Sequence, residues 1–104
     1  MLIGQKVNDA LNEQIGYEFS ASLQYVAITA YFEGEGLVEL ADLFHQQSDE
    51  ERDHAMRIVK YVIDAGGKLL IPAIPAPRAE FTDACDAIEL SLKSEQKVTQ
   101  QINS

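Results

Sequence analysis

The chain has 104 residues, an apolar share of 46% and a net charge of −9, enough for one small domain with one core and too short for two. Seventeen acids against eight bases argue against a nucleic-acid partner gripped through its phosphates. A single cysteine, Cys85, excludes an intrachain disulfide or a cysteine metal cluster. Cys85 is expected to be a small buried residue early in a helix. No secretory leader and no membrane span are predicted, so the expected compartment is the cytoplasm.

Residues 2 to about 32 lack proline and keep a helical period. Val7, Leu11, Ile15, Glu18, Ser22, Tyr25, Thr29 and Phe32 recur at steps of three or four. Gly34 and Gly36 break the pattern, and the short break predicts an antiparallel hairpin. A second helix is predicted from about Leu37 to Ala65. Its inner stripe is Leu40, Phe44, Gln47, Glu51, His54, Ile58 and Tyr61 or Val62, with Gly66-Gly67 as its stop.

Residues 66–82 hold two glycines and Pro72, Pro75 and Pro77, so they read as connection. Such a stretch can reach roughly 56 Å at ~3.3 Å per residue. The second helix is only ~43 Å long at ~1.5 Å per residue. The connection can therefore cross the whole bundle and start a third helix at the far end. That helix is predicted from about Asp83, capped by Thr82 or Asp83. Its stripe is Ile88, Ser91 or Leu92, Glu95, Val98 and Ile102.

Three glutamates sit on these apolar stripes. Glu18 lies between Leu11 and Tyr25, Glu51 between Phe44 and Ile58, and Glu95 between Ile88 and Ile102. Each is about two helical turns from its apolar neighbours, so three helices each aim one carboxylate inward. Buried unpaired carboxylates are costly, and Arg52 and Lys97 lie off the stripes. Bound divalent cations would neutralise the acids together. His54, one turn after Glu51, adds an imidazole, a mixture suited to iron, manganese or zinc. Taken singly, a glutamate on a stripe more often reaches past the core edge to water, and Glu-x-x-His is a weak motif. The conjunction over three helices is what points to a metal.

Asn12-Glu13-Gln14-Ile15-Gly16-Tyr17-Glu18-Phe19, Gln24-Tyr25-Val26-Ala27 and Ala30-Tyr31-Phe32 resemble the first helix of bacterial non-haem ferritins. Glu50-Glu51-Arg52-Asp53-His54-Ala55-Met56 is similar to the family's second-helix run, and Gly66-Gly67, Ile71-Pro72-Ala73-Ile74 and Glu95-Gln96-Lys97-Val98-Thr99 continue in register. The resemblance implies an all-α, ferritin-like four-helix bundle with a long crossover loop, of which this chain covers the first two helices and part of the third. It implies a ferroxidase for iron storage and detoxification. Glu18 and His54 would bind the first ferrous ion, Glu51 would bridge both, and Glu95 would hold the second. Tyr25 would stand beside the centre, and Glu50 would contribute to a weaker third iron site. Dioxygen or peroxide would be the oxidant, and twenty-four subunits would enclose the mineral. In the haem-binding relatives a methionine follows the bridging glutamate; Arg52 stands there, so no haem is expected.

The family's subunits continue through a fourth helix that supplies a further iron ligand, so the chain is expected to be a truncated subunit ending within the third helix. A ferroxidase-inactive assembly fragment or another di-iron carboxylate protein is the alternative. One cysteine argues against the rubredoxin-type cluster of rubrerythrin-like peroxidases, and the absence of a basic tail argues against a DNA-coating mini-ferritin.

Overall fold

A computed structural model describes the backbone of residues 3–103 and the side chains of residues 3–95. Three helices follow in order, α1 Gln5–Gly34, α2 Val38–Asp64 and α3 Ala84–Asn103. Among the described residues there is no strand, and no helix is long and apolar enough to cross a membrane. Leu2 lies outside the described residues. So do the side chains of Val98 and Ile102 and of the Gln96–Thr99 part of the matched motif.

Both ends of the hairpin are set by glycine. Gly36 and Gly66 follow the last turns of α1 and α2 with φ of 74°, a backbone that glycine adopts without a Cβ clash. At each end two reversed hydrogen bonds close the helix: Gly36 N to Glu33 O with Leu37 N to Phe32 O, and Gly66 N to Ile63 O with Gly67 N to Val62 O. This pairing satisfies terminal carbonyls that would otherwise be orphaned.

The third helix starts as its sequence suggests. Asp83 Oδ1 accepts from Asp86 N at 2.8 Å, and Asp86 Oδ2 accepts from Thr82 N at 3.0 Å. Asp83 is therefore the cap, and its partner three residues on reaches back to the residue before it.

Between α2 and α3 the chain climbs the length of α1. Near the start of α1, Asn8 Oδ1 accepts from Lys68 N, Asn12 Oδ1 accepts from Leu70 N, and both amide groups donate to Lys68 O. Further along, Pro72 covers Gly16. Gln24 then exchanges two 2.9 Å hydrogen bonds with the backbone of Arg78. Phe81 finally meets Tyr31 with ring centroids 5.3 Å apart. The connection is a crossover, and α3 consequently runs antiparallel to α1.

α1 packs against both other helices, and among the described residues no close backbone approach joins α2 to α3. Two apolar clusters lie along it. One gathers Tyr25, Ile28, Phe32, Phe44 and Ala87; the other gathers Ile15, Val59 and Val62. Between them lies a buried polar layer of Glu18, Ser22, Ser48 and Glu51.

One stripe position differs from expectation: Val7 is exposed while Asn8 is buried. Of the paired alternatives, Val62 is buried and Tyr61 exposed, and Ser91 is buried and Leu92 exposed. Cys85 is exposed, because the first turn of α3 turns Ala84 and Ala87 inward instead.

Candidate metal centre

Glu18 and Glu51 face each other across the α1–α2 interface, 1% and 5% exposed. Their Oε2 atoms are buried and accept no hydrogen bond. Both point at His54, whose Nδ1 is 3.7 Å from Glu18 Oε2 and 3.6 Å from Glu51 Oε2. One atom from each residue falls within 4.8 Å of the others, a spacing that a single cation can span. His54 is about half exposed, so the site opens to solvent on that side.

Removal from water and the neighbouring Glu18 and Glu95 push the Glu51 carboxyl up from 4.5 to about 9. Without a cation, Glu51 must hold a proton or face its neighbours as a like charge. Bare acceptors of this kind are rare in folded proteins and call for an occupant. Two carboxylate oxygens and an imidazole nitrogen are also the donor set of an iron, manganese or zinc site. The residues fit a divalent metal.

Glu95 reaches the same region from α3. Its Oε1 accepts a 2.5 Å hydrogen bond from the Tyr25 hydroxyl. Burial, then the Glu95 acceptor, raises the Tyr25 hydroxyl above its ordinary range, so it stays a donor. Glu95 stands outside the Glu18–Glu51–His54 group and is half-buried. A cleft of about 280 Å³, lined by Tyr25, Phe44, Gln47, Ser91 and Glu95 among others, opens beside this pair. Glu50 is exposed on α2 and belongs to neither cluster. Arg52 is exposed as well.

Three polar residues of the site carried no role in the sequence. Gln14 Nε2 donates to Glu18 Oε1 at 3.1 Å, and Ser22 pairs with Ser48 between the two apolar clusters. The available signal was spacing: Gln14 and Ser22 lie one turn either side of Glu18, and Ser48 one turn before Glu51.

These features define a class, a helical bundle whose helices turn carboxylates and an imidazole onto one internal point. Comparison with known proteins gives the family. The profile described as "Ferritin-like domain" matches residues 8–104, and the chain belongs to that family. It is similar to the ferritin BfrB of Mycolicibacterium smegmatis, 42% identical over 98 residues that cover 94% of this chain and 54% of the relative. It is also similar to a bacterial non-heme ferritin of Staphylococcus saprophyticus, 38% identical over 98 residues, covering 94% of this chain and 59% of the relative. Among solved structures, a humanized archaeal ferritin aligns with a TM-score of 0.92 and 31% identity, over 97% of this chain and 61% of that one. An open pore ferritin from Archaeoglobus fulgidus aligns with a TM-score of 0.91 and 31% identity, over 97% and 62%. The chain spans about half the length of the curated relatives it matches.

Proposed function

We propose that this chain carries the ferrous-ion site of a ferritin subunit and oxidises iron there for storage. Two ferrous ions are the substrates. Glu18 and His54 hold the first, Glu51 bridges the two, and Glu95 holds the second. Tyr25 fixes Glu95 through its hydroxyl. Glu50, exposed next to the bridging residue, serves a weaker third site. The observation that carries this reading is the pair of buried, bare Oε2 atoms aimed at one imidazole nitrogen.

In the reaction each ferrous ion gives up one electron. Dioxygen takes two electrons and two protons to become hydrogen peroxide, or peroxide takes two of each to become two waters. A carboxylate shared between two metals holds them at a spacing suited to such a paired transfer. His54 would coordinate through Nδ1, the nitrogen that faces both carboxylates. The half-exposed His54 side and the cleft beside Glu95 give ions and oxidant two approaches. The ferric product is stored in the cavity of a homo-oligomeric shell of twenty-four subunits in the cytoplasm, without haem, membrane or nucleic acid.

Anaerobic ferrous titration followed by oxygen uptake tests this. The parent chain should bind close to two irons and consume oxygen, and Glu51→Ala should abolish both. A variant with alanine at 18, 51 and 54 that took up and oxidised iron like the parent would sink the assignment. Native mass measurement tests the shell.

A further inference from the structure

From the Gln14–Glu18 contact we infer that Gln14 is a positioning residue of the metal site, holding Glu18 so that it presents one oxygen, Oε2, to a cation. The inference rests on the metal reading above and adds to it what sets the binding mode of Glu18.

Helical side chains lean toward the N-terminus of their helix, so the Glu18 carboxylate lies over the turn that carries Gln14. There Gln14 Nε2 donates to Oε1 at 3.1 Å. Only the amide nitrogen can face a carboxylate favourably, which fixes which way round the amide sits. Oε2 is left buried and bare, 3.7 Å from His54 Nδ1. The two oxygens of Glu18 thus have separate duties, one to the protein and one to the ligand.

A neutral amide suits this duty. Lysine or arginine at position 14 could also donate, but its charge would neutralise Glu18 and weaken attraction for a cation. Leucine would leave Oε1 without its donor and free the carboxylate to rotate or to chelate through both oxygens. Groups that hold a ligand from behind typically govern metal affinity by about 10–100-fold.

Co(II) is the probe, because its visible absorption reports coordination number and it does not turn over. The full chain is titrated as parent, Gln14→Leu, Gln14→Asn and Glu18→Ala. Gln14→Leu removes the donor, and Gln14→Asn keeps an amide that is one methylene too short. Both should weaken Co(II) binding on the order of 10–100-fold and change the visible spectrum, while the metal-free helix content and melting temperature stay at the parent's values. Glu18→Ala should lose the tight site. Parent-like affinity and spectrum in Gln14→Leu, with binding lost in Glu18→Ala, would overturn the role of Gln14 and leave the metal site standing. Parent-like behaviour in Gln14→Asn alone would show that polarity suffices and also overturn it. A Gln14 variant whose metal-free form melts lower has a structural role, which counts against positioning. Unchanged binding in Glu18→Ala would remove the metal site and this inference together.

Discussion

Ser22 on α1 and Ser48 on α2 clasp each other's backbone: Ser22 Oγ donates to Ser48 O at 2.8 Å, and Ser48 Oγ donates to Ser22 O at 2.9 Å. Each hydroxyl has one proton, and both are committed to carbonyls, so the 3.0 Å separation of the two oxygens records close packing rather than a third full bond. Both residues are 6% exposed and sit one turn from Glu18 and Glu51. The clasp therefore sets the spacing of α1 and α2 where the two carboxylates meet.

Breaking it should cost stability. Ser22→Ala or Ser48→Ala should each lower the unfolding free energy by about 1–3 kcal/mol, since a buried hydroxyl or carbonyl loses its partner. The double variant should cost less than the two single losses together, with a coupling of at least ~0.5 kcal/mol. Denaturant unfolding of the four proteins gives the coupling directly; strictly additive losses would mean that the two serines act separately.

Glu51 trades stability for binding. Its carboxyl is buried against Glu18 and Glu95 with an unpartnered oxygen, and burial beside those acids raises it to about 9. Glu51→Gln keeps the volume and removes the need for this carboxyl to take up a proton on folding. The metal-free variant should be more stable than the parent at pH 8 by on the order of 1 kcal/mol. The parent should gain melting temperature on adding Co(II), as any ligand of the native state produces, and the variant should gain far less. Calorimetry with and without Co(II) reads both effects. A metal-free variant that melts below the parent would show that the carboxylate supports the fold.

The seven-residue spacing of Glu18 and Glu51 from large apolar neighbours made their burial legible, because helical periodicity carries over two turns. The crossover was legible too, since Pro72, Pro75 and Pro77 forbid helix and the segment is long enough to climb α1. Side-by-side choices were not legible. Asn8 is buried in place of Val7 because its amide pairs with the backbone of Lys68, a partner 60 positions away that no local pattern displays. Leu92 yields to Ser91 for a related reason: a 3.6-residue period leaves about one residue of freedom in where a stripe faces. The clustering of Glu18, Glu51 and His54 could be anticipated from which faces point inward, whereas the bare state of both Oε2 atoms depends on every neighbouring donor.

The start of α3 should respond to acid. Asp86 accepts from the Arg78 guanidinium, from Thr82 N and from Thr82 Oγ1, and the Arg78 bond foremost holds its carboxyl below the ordinary value. A carboxyl lowered in the folded state stabilises above its unfolded value and loses that contribution as pH falls through the folded one. Melting temperature should therefore fall between about pH 5 and pH 2 more steeply in the parent than in Asp86→Asn, which should start lower at neutral pH. Parallel curves would mean that the Arg78–Asp86 pair contributes nothing to the junction.

At Gly16 the crossover lies directly against α1. A Cβ at this position would stand 2.5 Å from Pro72 Cγ and 3.2 Å from Pro72 Cδ. Its backbone is ordinary helix, so space and not conformation demands glycine here. Alanine has the better helix propensity by roughly 1 kcal/mol, and in isolation the change should stabilise α1. Overlap with the proline ring opposes it, and overpacking typically costs about 1–3 kcal/mol. Gly16→Ala should therefore be destabilising overall, visible as a lower urea midpoint. Adding Pro72→Ala removes the ring carbons that collide, so the pair should recover much of the loss even though Pro72→Ala alone loosens the unfolded chain. Recovery would locate the cost at this one contact; a Gly16→Ala chain as stable as the parent would mean that the crossover can lift from α1 at Pro72 without penalty, leaving the Asn8, Asn12 and Gln24 hydrogen bonds to hold it.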